Sequence, residues 1–299
     1  MTRIQANLLL VLAAMIWGSS FVVQQTGTGD LGTITFTGAR FLFGAMIILP
    51  FGIRQLLRVE REDRKFELKD WCGIVLTGFV LLTAATLQQH GILRTTVTNA
   101  GFLTALYVPL VPVLGLLLLK RKVHFTIWPA SICCFIGTYI LSGADGFEFA
   151  VGDLWVISST VFWACHVILI GIFASRTRAP FVVAATQFLV CGFGGLVLGF
   201  FFESPDFEQI RGAAFGICYV GLFSVAMAFT LQVIGQRYTP AADAAIILSS
   251  ETVFAALGGI LFLGEHLTLI QLSGGVLILF SILGVELLPL TRFGKPRSL

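Results

Sequence analysis

Four ionisable side chains within the long apolar runs of this 299-residue chain stand out as candidates for chemistry: Arg40, His166, Asp243 and Glu251. A charged group among hydrocarbon costs about 2.5–3.5 kcal/mol on insertion scales, so those retained there should face protein or water. Glu251 follows Ser249 and Ser250 and is the deepest carboxylate; it could bind a substrate, carry a proton or hydrogen-bond a neighbouring helix. His166 follows Trp163 by three residues, so the two share a helical face, with a substrate or proton role set against simple packing. Arg40 lies about nine residues into its run, roughly 13 Å deep at 1.5 Å per residue, and reads as a structural or gating cation. Asp243, nearer one end of its run, caps or gates its helix.

Neutral groups add to this set. Trp17 and Trp163 sit near the middle of their runs, away from the head-group level where tryptophans usually collect, so they point inward and could stack on a substrate. Ser20, Thr83, Thr86, Gln89, Asn99 and Ser250 offer hydrogen-bonding groups to a polar solute, although small polar residues also join helices to one another. Pro109 and Pro112 remove backbone donors and should bend their helix, which suits a gate. No catalytic constellation is visible: His90, His124, His166 and His266 lie on separate segments, and the six cysteines show neither disulfide nor metal spacing. An enzyme, a resident metal and a cofactor are not expected.

The elements that must position these residues are membrane helices. With 57% hydrophobic and 12% charged residues the chain has no room for a soluble domain. Ten apolar runs, at 6–24, 31–53, 70–90, 96–119, 124–142, 152–174, 180–202, 212–235, 241–263 and 268–289, predict ten transmembrane helices. The first could be mistaken for a signal peptide but is too long for one. The segment after helix 2, RQLLRVEREDRKFELK, reads as a mixed-charge surface loop. Sixteen of the nineteen Lys and Arg residues fall in the two termini and every second connection; only Arg94 and Arg211 lie on the other side. By the positive-inside rule both termini are cytoplasmic and the number of crossings is even. Cytoplasmic-rim cations meet lipid head groups, so the lipid bilayer is a partner and nucleic acid is not.

The two halves resemble each other. Trp17 aligns with Trp163 at a shift of 146 residues and Arg40 with Gln187 at 147; Thr86–Gln88 recurs as Thr230–Gln232 at 144; helix 4 maps onto helix 9 at about 143, pairing Gly115 with Gly258. Five helices per half is odd, so the second half must lie upside down relative to the first. The charges agree: six basic residues follow helix 2, whereas ESPDFEQIR follows helix 7. The expected architecture is an all-α integral membrane protein whose repeats, 1–146 and 147–299, are inverted and enclose a central cavity, the pattern of many secondary transporters.

AAMIWGSSFVV, TFTGARFLFGAMIILP, TTVTNAGFLTALYVPLVPVLG and LFLGEHLTLIQLSGGVLILFSILGVEL together resemble the drug/metabolite transporter superfamily, and within it the ten-helix EamA-type branch. The resemblance implies export or exchange of small metabolites, with helices 1–4 and 6–9 around the cavity and helices 5 and 10 outside. Small four-helix members of the superfamily carry a coupling glutamate in helix 1; here that helix has no acid. The function expected is secondary transport of a small-molecule substrate, an amino acid or similar neutral metabolite, across the bacterial inner membrane by a monomer or weak homodimer. Export of drugs or of sugar phosphates is the alternative, the latter disfavoured because Arg40 is the one cation in the runs.

Overall fold

The computed structural model describes residues 1–62, 65–120, 124–142, 151–264 and 266–287. The midpoint connection 143–150, Glu265 and the charges Arg64, Arg121, Lys122, Arg292, Lys295 and Arg297 lie outside these residues. The described residues are all-helical. We number the helices α1 (Arg3–Thr26), α2 (Thr33–Arg61), α3 (Leu68–Ile92), α4 (Val97–Thr104 and Tyr107–Leu119), α5 (Ile127–Ser142), α6 (Val151–Thr177), α7 (Pro180–Phe202), α8 (Ala214–Gln236), α9 (Ala241–Leu248 and Glu251–Leu263) and α10 (Leu269–Leu287). Eight of them are long and apolar enough to cross a membrane; the apolar stretches of α5 and α10, Ile127–Leu141 and Leu269–Gly284, are shorter.

Helix α2 runs eight residues beyond its expected end, so Arg54–Arg61 is helical and not a surface loop. Apolar spacing explains the difference, because Val59 is buried against Ala179 and Val182 at the start of α7.

Helices α2 and α7 form an antiparallel pair whose seam is built from glycine. A Cβ on Gly38 would lie 2.5 Å from the Leu196 nitrogen, and one on Gly195 would lie 2.6 Å from the Gly38 Cα. Small residues let the backbones meet where the surrounding lipid gives no hydrophobic drive for helix association. Each partner also caps the other. Glu203, just past the end of α7, accepts from the Ile34 and Thr35 nitrogens at 2.9 and 2.8 Å; Gln55 of α2 accepts from the Phe181 and Val182 nitrogens at 2.8 and 3.3 Å. These contacts satisfy backbone donors that every helix start leaves free.

Helices α5 and α10 make a second antiparallel pair, closed where Gly137 meets Ile278 and Gly274 meets Leu141. The other contacts are reciprocal: α3 packs on α6 as α8 does on α1, and α4 packs on α6 as α9 does on α1.

Three helices depart from regular α geometry. Helix α4 is interrupted at Ala105–Leu106 and α9 at Ser249–Ser250, two breaks separated by 144 residues. The segment starts Val97 and Ala241, Tyr107 and Glu251, and the left-handed residues Lys120 and Gly264 after the last turns all keep that spacing. Gly115 therefore pairs with Gly259, correcting the pairing with Gly258. Helix α8 is wound as a π-helix from Val220 to Phe229, a form that collects at functional sites.

Candidate substrate cavity

Where seven of the eight long helices meet, all but α7, the bundle lines a partly open cavity. Its wall is assembled from matched positions of the two halves. Trp17 and Trp163, Phe21 and Val167, Ala85 and Phe229, Gln88 and Gln232, Thr104 and Leu248, and Tyr107 and Glu251 all line it, each pair separated by 144 or 146 residues. The lining has the usual character of a small-molecule site, apolar and aromatic with a few placed polar groups.

Phe229, the last residue of the π segment, fixes the aromatic wall. It lies edge-on to Trp17, with centroids 4.7 Å apart, and stacks on Trp163 at 5.9 Å and 18°. The Trp17 indole donates to the Ser224 carbonyl at 3.3 Å, so the π segment holds both tryptophans through one ring and one carbonyl. The Trp163 indole nitrogen is buried with no partner. On the polar side, Arg40 donates to the Gln24 side chain and lies 5.5 Å from the Phe36 and Phe41 ring centroids. Gln88 donates to Thr104 at 2.9 Å. Glu251 opens the second segment of α9, where the Thr252 and Val253 nitrogens donate back to the Ser249 and Ser250 carbonyls at 3.0 Å.

Of the residues singled out in the sequence, Trp17, Trp163, Arg40 and Glu251 meet at this cavity. His166 does not line it: its ring is buried behind Trp163 and Phe229, 2.9 Å from the Gln187 amide oxygen. Gln89 turns away to donate to Thr28 and to the Gln24 carbonyl, both at 3.0 Å, bracing the residue that holds Arg40. Ser20 and Ser250 are buried and donate to carbonyls of their own helices, Ile16 and Ile247. The Thr86 hydroxyl is buried without a partner outside the lining, and Thr83 is on the outer surface of the bundle. Pro109 and Pro112 lie in the second segment of α4.

Asn99 and Asp243 belong to two polar clusters at opposite ends of α1. At its start, Arg3 pairs with Asp243 at 2.6 Å and the Thr239 hydroxyl donates to Asn7 at 2.6 Å. Near its end, Asp153 accepts from Thr95 and from Asn99, both at 2.7 Å, while Gln25 of α1 donates to the Thr95 carbonyl at 2.8 Å. Thr239 and Asp243 stand 144 residues after Thr95 and Asn99, and Asp153 stands 146 after Asn7. Each end of the bundle therefore carries a version of one latch, with acid and amide exchanged.

The profile of the EamA-like transporter family matches this chain twice, over residues 4–143 and 150–287. The chain belongs to that family. A transporter from Archaeoglobus fulgidus is 31% identical over 95% of this chain and 87% of its own length. An inner membrane transporter of Salmonella typhimurium, YicL, is 24% identical over 93% of this chain and 94% of its own. A protein of known crystal structure shares the fold at a TM-score of 0.77 and 19% identity, with 96% of this chain and 98% of that one covered. The protein is thus a multi-pass membrane transporter.

The sequence reading missed Phe21, Gln24, Phe41, Gln88, Thr104, Tyr107, Ser224, Phe229 and Gln232. One signal was present. The repeated triplets Thr86–Gln88 and Thr230–Gln232 end on the two glutamines that face each other's half across the cavity.

Proposed function

We propose that this protein is a secondary transporter that moves a small neutral or zwitterionic metabolite, an amino acid foremost, out across a bacterial inner membrane. It does so by alternating access, as two inverted repeats, 1–146 and 147–299, in ten crossings with both termini cytoplasmic. The observation that carries the reading is a polar and aromatic cavity walled by matched residues of both halves. Inversion is supported by the antiparallel seams of the equivalent helices α2 with α7 and α5 with α10, and by the common spacing of the breaks in α4 and α9. The sidedness rests on the basic residues, and the membrane on the Salmonella relative. The short helices α5 and α10 cross with local thinning of the bilayer. Arg40 is the one basic residue among the cavity-lining side chains, which ranks multiply anionic sugar phosphates below zwitterions.

The two latches supply the moving parts. Opening one while the other stays closed would expose the cavity to a single face. The test is counterflow in proteoliposomes against a panel of amino acids, sugars and cationic drugs. We expect exchange of amino acids; exchange of sugars or drugs alone would overturn the substrate assignment.

A further inference from the structure

Arg40 is 4% exposed and Glu251 is 5% exposed, and both line the same cavity from helices of different halves. Neither makes an ion pair with the other or with any other described residue. Arg40 has one neutral partner, Gln24, and its Nε is buried with none. Their repeat counterparts, Gln187 and Tyr107, are a neutral amide and a phenol, so one half contributes a guanidinium and the other a carboxyl group. A buried guanidinium or carboxylate without a counter-ion is strongly unfavourable, and a ligand carrying both complements stabilises the ionised form of each. Both side chains line one cavity, so a single small molecule bound there meets both.

We infer that Arg40 and Glu251 form a two-ended charge clamp that selects zwitterions: the guanidinium holds the ligand's carboxylate, Glu251 holds its ammonium group, and the Trp17, Phe229 and Trp163 rings receive its apolar body. The inference rests on the amino-acid reading above and adds the residues that enforce it. The planar fork of arginine suits a carboxylate, and the aromatic wall suits a large apolar or aromatic side chain. A ligand with one charge leaves the other end of the clamp unpaired, so amines and monocarboxylates are both rejected.

The experiment uses the full chain in detergent and in proteoliposomes with three probes of one shape: phenylalanine, phenylalaninamide, which lacks the carboxylate, and 3-phenylpropionate, which lacks the ammonium. The parental protein should bind phenylalanine at least about tenfold more tightly than either fragment, the scale of a charge-assisted hydrogen bond. Arg40→Gln should bind phenylalanine and phenylalaninamide equally, and Arg40→Lys should restore part of the difference. Glu251→Gln should bind phenylalanine and 3-phenylpropionate equally, and it decides the matter if Arg40→Gln does not fold. If the parental protein exchanges phenylalanine but each folded variant keeps its discrimination, the clamp is wrong and the transport reading stands. If the parental protein exchanges no amino acid yet takes up phenylalaninamide, the amino-acid reading fails, and the clamp with it.

Discussion

The paired latches give the sharpest test of how the cavity opens. Arg3→Ala removes the cation from a 2.6 Å ion pair in which Asp243 is 1% exposed and Arg3 34% exposed. A hydrogen bond to a charged group is worth about 1.5–3 kcal/mol, and the partial exposure of Arg3 places this one at the lower end. About 1.4 kcal/mol is tenfold in a population, so the variant should open the cavity roughly tenfold more often toward the cytoplasm. Asn99→Ala removes a 2.7 Å donor to Asp153 at the other end and should act with similar size in the opposite direction. Ser224→Cys, on the cavity wall, reports the opening when the exposed Cys72 and Cys218 are replaced by serine. An impermeant thiol reagent is applied to right-side-out and inside-out vesicles. Arg3→Ala should speed labelling from the cytoplasmic face alone, and Asn99→Ala from the outer face alone. Acceleration from the same face in both variants would refute the two-latch reasoning, as would no change in either.

Two further outcomes follow from local packing. Gly38→Ala drives a Cβ into backbone atoms of α7 2.5 and 2.7 Å away and should lower stability by about 1–3 kcal/mol, whereas Gly115→Ala, with nothing within 4 Å, should raise it by about 0.5–1 kcal/mol; melting in detergent separates them, and equal shifts would contradict the glycine seam. Pro109→Ala restores a donor for the Ala105 carbonyl at the break in α4 and should raise stability by up to about 3 kcal/mol while slowing exchange; exchange at the parental rate would show that the break is not a hinge.

Length and apolar runs made the helices legible, because each is a property of one segment read alone. Rotation about a helix axis is not such a property. Gln88 and Gln89 differ by about 100° around α3, and only packing against α1 and α4 decides that Gln88 faces the cavity while Gln89 braces Gln24. Thr83 shares a stripe with Thr86, yet that stripe begins on the outer surface. His166 does meet Trp163, with ring centroids 5.7 Å apart, as the three-residue spacing requires. Its imidazole is drawn behind the wall by Gln187 of α7, a partner 21 residues away that no periodicity identifies.

The breaks in α4 and α9 show how unlike sequences reach one shape. In α4 the cause is Pro109, which has no N–H to continue the α-helical ladder to the Ala105 carbonyl, so that carbonyl accepts instead from the Val108 nitrogen at 3.0 Å. Helix α9 has no proline at the matching place. There the hydroxyls of Ser249, Ser250 and Thr252 donate to the carbonyls of Ile246, Ile247 and Ser249 at 2.6, 2.8 and 2.8 Å, competing with the helical bonds. Both devices start a new helical segment at the cavity wall, with Tyr107 first in one and Glu251 first in the other. The fold thus repeats a backbone discontinuity while its chemistry diverges: one half presents a phenol and the other a carboxylate. The common 144-residue spacing thus fixes where the two side chains stand and leaves their chemistry free to differ, which is what an asymmetric solute would require of the proposed transport cycle.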